Sequence, residues 1–161
     1  MSDLAQTFLD ESRAFLTRDY LPQIERCVTQ LTTEQIWSRA GNASNSIGNL
    51  MLHLAGSSRQ WALETIEGKP TGRDRQSEFD RRDPVSTERL RAELRAAVEE
   101  VDRVLTALPG ESLLETRTRH DRQLTVLWCV YHMVEHFAMH TGQINSMTKA
   151  LVGALTPVSD R

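Results

Sequence analysis

The chain has 161 residues, of which 39% are hydrophobic and 25% are charged, and its formal net charge is −3. This length and composition predict one folded domain over residues 1–161 and exclude extended disorder. The acidic balance, with a sequence pI near 6.0, argues against nucleic-acid binding, which concentrates lysine and arginine on one face.

The segment from Met1 to Gln6 lacks the basic and apolar regions of a signal peptide, and no stretch is long and apolar enough to span a bilayer. We therefore expect a cytoplasmic protein with no membrane or nucleic-acid partner. The two cysteines, Cys27 and Cys129, lie far apart within helical patterns. This placement is typical of buried thiols in a reducing compartment.

Apolar residues at helical spacing run through residues 4–31 and predict a long first helix. Pro22 has no backbone N–H, so we expect a kink or break near Tyr20. After this helix, Thr32 or Thr33 is placed to cap a short turn.

The second helix is predicted from about residue 46 to residue 67, with Ser46 as its capping residue. The following segment, from Thr71 to Pro84, is charged and aperiodic, which suits a crossover that runs the length of a bundle. This crossover contains Arg73 and Arg75. A solvated surface is the favoured interpretation of both arginines, and recognition of a substrate carboxylate is the alternative.

The clearest amphipathic pattern predicts a third helix, capped by Ser86 and ended by Pro109. A polar segment, residues 111–123, then leads to a fourth helix from about 124 to 152. No strand pattern is present. The predicted fold is therefore all-α, a four-helix bundle with a long crossover between helices 2 and 3.

Three of the five histidines, His132, His136 and His140, follow one another at intervals of four on the fourth helix. With 3.6 residues per turn, their side chains face roughly the same side. His53 lies on the second helix and can oppose this stripe across the bundle, whereas His120 lies among charged residues. Imidazole ligands favour zinc, nickel, copper or iron over magnesium and calcium.

Two overlapping histidine pairs are available as ligands on the fourth helix. His132, Glu135 and His136 spell H-x-x-E-H, the inverted zincin motif, in which Glu135 would be the general base of a metalloprotease. We rank this pair below His136 and His140, because the only acidic residue after Glu135 is Asp160 near the end of the sequence. His132 and Glu135 then become candidates to support the ligands or to line a pocket.

The segment from His136 to Ile144, combined with the segment from Ser46 to Gly56, resembles the DinB/YfiT-like superfamily. Trp61 and the stretch from Arg73 to Phe79 extend this resemblance to almost the whole chain. The resemblance implies a DinB-like four-helix bundle with a divalent metal at one end.

Carried over by the resemblance, the metal ligands are His53, His136 and His140, and Gln143 joins the supporting or pocket candidates. One divalent transition metal is expected, with zinc or nickel favoured. Because protons compete with a metal for imidazole, its affinity is expected to weaken as pH falls from about 7 toward 5.

The characterised enzymes of the superfamily include transferases that use low-molecular-weight thiols, such as bacillithiol, and mycothiol-dependent isomerases. The resemblance therefore implies a homodimeric, metal-dependent thiol S-transferase that acts on small electrophilic molecules, with the thiol as cosubstrate. The alternative is a non-catalytic bundle, stabilised by metal, that serves a stress response or dimerisation. A solvent-reachable pocket at the metal's open position would favour catalysis, and a sealed position would favour the alternative.

Overall fold

The residues of the N-terminal apolar pattern form one helical rod, and the spacing of its backbone hydrogen bonds changes midway. In the computed structural model the described residues are 2–119 and 121–153, so His120 and Asp160 lie outside them. The rod consists of helix α1 (Ser2–Ala14), a π-helical segment (Phe15–Tyr20) and helix α2 (Leu21–Val28). Of the expected kink or break near Tyr20, the break does not occur, because Tyr20 and Leu21 keep right-handed helical angles, and the helix is instead distorted into the π-helical segment. The wider π-turn accommodates Pro22, whose ring would crowd the preceding turn of an α-helix.

Side-chain caps begin the next two helices, α3 (Thr33–Trp37) and α4 (Ile47–Arg59). Thr32 rather than Thr33 caps α3, and Ser46 caps α4 as predicted, accepting a hydrogen bond from the backbone N–H of Asn49 at 3.1 Å. A second π-helical segment (Gln60–Ile66) continues α4 in the same direction. The predicted second helix is therefore present, but it contains two kinds of helical turn.

The crossover is partly helical and partly buried, so the solvated interpretation is wrong for Arg73, whereas Arg75 is exposed. It contains helix α5 (Arg75–Asp80), capped by Asp74, and this helix packs against α4. Glu78 is buried, with 8% of its surface exposed, and the Arg73 side chain is 6% exposed. Asn49 of α4 holds the segment in place by donating to the backbone carbonyl of Glu78 at 2.7 Å.

A small hairpin lies between the third and fourth long helices, where no strand was predicted. In order, this part of the chain forms α6 (Thr87–Ala107), a 3₁₀ turn (Gly110–Leu114), β1 (Thr116–Arg119), β2 (Arg122–Thr125) and α7 (Val126–Val152). Strands β1 and β2 pair antiparallel, and Arg119 lies opposite Arg122. The strands were missed because each has only four residues and Leu124 is their single buried side chain. Thr125, which ends β2, caps α7.

The long helices pack as a bundle in which α4 contacts both α6 and α7, and α2 contacts the same two helices. Their apolar faces form the core, which includes both Cys27 and Cys129 as buried free thiols. The predicted all-α DinB-like bundle is confirmed, with the hairpin as an addition. Within the described residues, none of the helices has both the length and the apolar character needed to cross a membrane.

Candidate metal centre

Helices α4 and α7 bring three histidines together at one place in the bundle. His53 projects from α4, while His136 and His140 project from successive turns of α7. Nε2 of His136 lies 3.1 Å from Nε2 of His53 and 3.0 Å from Nε2 of His140. The ligand atoms of all three lie within 4.8 Å of one another. We call these three residues the histidine cluster.

Two rings of the cluster are oriented by partners on their outer sides. Nδ1 of His53 lies 3.0 Å from Oε2 of Glu78, and Nδ1 of His140 lies 2.7 Å from Oε1 of Gln143. Since an amide oxygen only accepts hydrogen bonds, Nδ1 of His140 donates its proton to Gln143, and its Nε2 directs a lone pair toward His136. Nδ1 of His53 faces both the Glu78 carboxylate, which accepts, and Nη2 of Arg73 at 3.0 Å, which donates.

This arrangement of nitrogen atoms fits a divalent transition metal. Nε2 of His136 carries either one proton or one lone pair, so it cannot form a hydrogen bond with both neighbours, and at least one contact near 3 Å is unfavourable without a cation. Imidazole nitrogens bound to a tetrahedral zinc ion are about 3.3 Å apart, given bonds of about 2.0–2.1 Å. Outer hydrogen bonds to a carboxylate and an amide are also the usual support of metal-bound imidazoles.

Burial keeps two histidines of the cluster, His136 and His140, neutral near physiological pH. Burial lowers the pKa of His136 to about 3, with further contributions from the charges of His140, His53, His132 and Arg73. Burial also lowers the pKa of His140, which the hydrogen bond to Gln143 only partly opposes. Neutral imidazole is the form that binds metals. Protons therefore compete for His136 and His140 at a lower pH than the interval from 7 to 5 that unperturbed histidines imply.

The depressed pKa values predict how the metal-free protein responds to acid. Below pH 6.5, the ordinary histidine value, the unfolded chain binds protons that folded His136 and His140 refuse, so the free energy of unfolding falls as pH drops toward about 3. Urea titrations of chelated protein between pH 6.5 and 4.5 measure this slope while most carboxylates are still ionised. The H136N variant should show a shallower slope. An unchanged slope in H136N would contradict the assignment.

A buried ion pair stands behind His53. Arg73 contacts Glu78 in a bidentate manner, with Nε 2.6 Å from Oε1 and Nη2 2.7 Å from Oε2, and its Nη1 donates to Oε1 of Gln60 at 2.6 Å. Burial raises the pKa of Glu78, but hydrogen bonds from Arg73 and His53 outweigh it and hold this pKa below its ordinary value. Gly56 leaves room for the pair, because a Cβ there would overlap Oε1 of Glu78.

The cluster opens onto a cavity of about 550 Å³, whose wall includes His53 and His136. His140 lies behind them and is buried. Ser57 of α4 and Trp61 of the π-helical segment that follows it also line the cavity, as does Leu124 of β2. The cluster is thus reachable from solvent on one side and supported by packed protein on the other.

His132 does not join the cluster, although it lines the same cavity. Its ring stacks on Trp128 at 4.8 Å between centroids and meets Trp61 edge-on at 5.0 Å. Glu135 has its carboxylate 3.2 Å from Nδ1 of His132 and is largely exposed, so it does not reach the cluster as a base. The ligand nitrogens of His136 and His140 therefore lie in one cluster, whereas His132 of the H-x-x-E-H motif lies outside it.

Several residues of the site were not identified from the sequence. Glu78 lies in a charged segment that resembles any solvated crossover, and only its contact with His53 reveals its role. Arg73 was considered as a surface residue or a substrate contact, but its pairing with Glu78 was not predicted. Arg119 and Arg122 line the cavity from the hairpin. The alternation of threonine and arginine before Asp121 was the available signal for that hairpin, but it carries no apolar face.

Comparisons with known proteins were made by family model, by sequence and by structure. The family model described as mycothiol S-transferase matches residues 7–151. The search of curated proteins found no significant match. A conserved protein of Enterococcus faecalis, known from its crystal structure, aligns with a TM-score of 0.71 at 14% identity over 95% of this chain and 98% of that chain, and this likeness concerns the fold alone. Because the family model spans nearly the whole sequence, the chain belongs to the mycothiol S-transferase family, a DinB/YfiT-like family.

Proposed function

We propose that this protein is a metal-dependent S-transferase that joins a low-molecular-weight thiol to a small electrophilic molecule. The observation that carries the proposal is that His53 and His136 line a solvent-reachable cavity. A structural metal site usually fills all its positions with protein ligands, whereas a catalytic site keeps one open. Membership of the family supplies the reaction class.

In the proposed reaction, the thiol sulfur forms a bond to the electrophilic carbon, the leaving group departs with its bonding electrons, and the thiol proton passes to solvent. A divalent transition metal held by His53, His136 and His140 would stabilise the thiolate at its open position. Glu78 and Gln143 orient two of the rings through their Nδ1 atoms. Preorganised ligands avoid reorientation during the reaction.

The cavity suits two small reactants. Its volume of about 550 Å³ falls within the range of about 300–1,000 Å³ that is typical of small-molecule sites. Trp61 and Trp128 meet edge-on at 5.4 Å beside it and present apolar surface that excludes water. We propose a thiol of the mycothiol class as the cosubstrate, and zinc or nickel as the metal. The single domain over residues 1–161, the homodimer and the cytoplasmic location stay predictions.

The alternative is a bundle that uses the metal only for stability. The cluster joins α4 to α7, so an ion there would stabilise the fold whether or not catalysis occurs. Stabilisation by metal therefore does not distinguish the two functions, and turnover does.

Metal-loaded protein is expected to accelerate transfer of mycothiol or another bacterial thiol to a generic electrophile above the uncatalysed rate. The assay follows product formation with a panel of thiols, after loading with zinc or nickel. Removing the metal, or replacing His136 by alanine, should abolish the acceleration, because both remove the group that stabilises the thiolate. No turnover with any thiol, in protein shown to contain metal, would favour the non-catalytic bundle.

A further inference from the structure

The cavity in front of the histidine cluster is strongly basic, although the chain as a whole carries a net charge of −3. Among the described residues that line it, none is acidic and four are arginines. These are Arg73, Arg75, Arg119 and Arg122. Two come from the crossover and two from the hairpin, so separate segments deliver positive charge to one opening.

Two of the four charges are already matched by carboxylates. Arg73 forms the buried pair with Glu78, and Arg119 lies 3.4 Å from Glu64 with only 12% of its side chain exposed. By contrast, Arg75 and Arg122 are exposed, and their guanidinium groups form no hydrogen bond or ion pair with any described residue. The cavity therefore holds two uncompensated guanidinium groups.

Aromatic rings position these two guanidinium groups. Arg75 lies over Phe79 with 4.9 Å from Cζ to the ring centroid, and Arg122 lies over Trp128 at 5.2 Å. Phe79 in turn contacts the His53 ring, with 4.6 Å between centroids. A guanidinium that stacks on a ring keeps its N–H edges free, and those edges match a carboxylate or phosphate in a bidentate manner.

The hairpin places like charges opposite each other at its end. Arg119 and Arg122 are direct partners in the antiparallel register, which is unfavourable for two positive side chains without a counterion. Arg119 is held by its stacking on Trp61, at 5.1 Å, and by Glu64. An anion in the cavity would relieve the repulsion that Arg122 experiences.

We propose that Arg75 and Arg122 bind an anionic group of the acceptor, so that the enzyme selects electrophiles carrying a carboxylate or a similar charge. The acceptor role rests on the proposed S-transferase function, whereas the anion site rests on the arginines themselves. The reaction remains a substitution in which the sulfur–carbon bond forms, the leaving group departs with its electrons, and the thiol proton passes to solvent.

The test compares a chlorodinitrobenzoate with the matching chlorodinitrobenzamide, which share a chloride leaving group and differ in charge. With zinc-loaded protein and saturating mycothiol, and after division by the uncatalysed rates, wild type should favour the benzoate in kcat/KM. In R75Q and R122Q this preference should fall about tenfold, mainly through the KM for the benzoate, as expected for loss of a charged hydrogen-bonding partner. R122K should recover part of the preference, because lysine keeps the positive charge but lacks the planar N–H groups that bind a carboxylate in a bidentate manner.

The exposed Arg18, which lies on the first helical rod and outside the cavity, provides the charge-matched control R18Q. This variant should keep the wild-type preference. An equal preference in R122Q, R75Q and wild type would overturn the proposal. A rise in the KM for the thiol, in place of the benzoate, would also overturn it, because the arginines would then contact the cosubstrate.

Calorimetric binding of unreactive dinitrobenzoate and dinitrobenzamide to zinc-loaded protein separates this inference from the proposed function. If wild type binds the benzoate more tightly, and R122Q loses this difference, the anion site stands even when no thiol turns over. If wild type binds both compounds equally, the anion site is wrong even when turnover is observed.

Discussion

Replacing His136 by alanine is expected to abolish stoichiometric binding of a divalent transition metal, and replacing His140 should do the same. Each variant removes one of the three converging imidazoles, and His136 is the nitrogen donor adjacent to both others. The loss of metal affinity should exceed the decrease of about 10–100-fold that follows removal of an outer hydrogen-bond partner of a ligand. Elemental analysis of purified protein and calorimetric titration with zinc measure the stoichiometry and the affinity.

The matched control is H132A, on the same helix and at the same spacing. His132 packs against Trp61 and Trp128 and lies outside the histidine cluster, so this variant should retain about one metal per chain. Metal that persists without His140 and disappears without His132 would assign the site to the H-x-x-E-H pair instead.

The E78A variant is expected to show the second large effect, on both the fold and the metal site. It leaves the Arg73 guanidinium buried without its carboxylate, and breaking a buried pair in this way costs about 3–5 kcal/mol of unfolding free energy. It also removes the acceptor for Nδ1 of His53, so zinc affinity should fall about 10–100-fold. Urea unfolding in chelator measures the first effect, and zinc titration measures the second.

Two further variants separate charge from position. G56A keeps both charges, but its methyl group would overlap Oε1 of Glu78 and lie 2.9 Å from Nε of Arg73, so it should displace the pair and weaken zinc binding. G142A, on α7, is the control, because a Cβ there meets no atom of the described residues within 4 Å. If E78A and G56A bind zinc as tightly as wild type, Glu78 does not orient His53.

The long helices could be predicted from the sequence because the residues that begin them and the apolar pattern that defines them are local. Ser46 and Ser86 supply capping hydroxyls at the expected positions, and apolar residues recur at the helical period behind them. Two π-helical segments, Phe15–Tyr20 and Gln60–Ile66, could not be predicted, because a single wider turn barely alters the apolar pattern.

The candidate site could be predicted only in part from the sequence. Spacing alone left two histidine pairs open, and the family resemblance selected His136 and His140 with His53. The contact between His53 and Glu78 joins residues 25 positions apart and depends on how the crossover folds back on α4. Charge patterns do not reveal such a contact, since a buried arginine–glutamate pair and a solvated one have the same sequence.

The hairpin from Thr116 to Thr125 carries two of the cavity arginines on an element separate from the helices that carry the histidine cluster. The proposed metal ligands project from packed helices, where most substitutions disturb the core, whereas Arg119 and Arg122 lie on a short two-stranded hairpin. Surface connections tolerate substitution and insertion better than the elements they join. Under the proposed function, substitutions in the hairpin would therefore change the charge of the cavity without disturbing the helices that carry the histidine cluster.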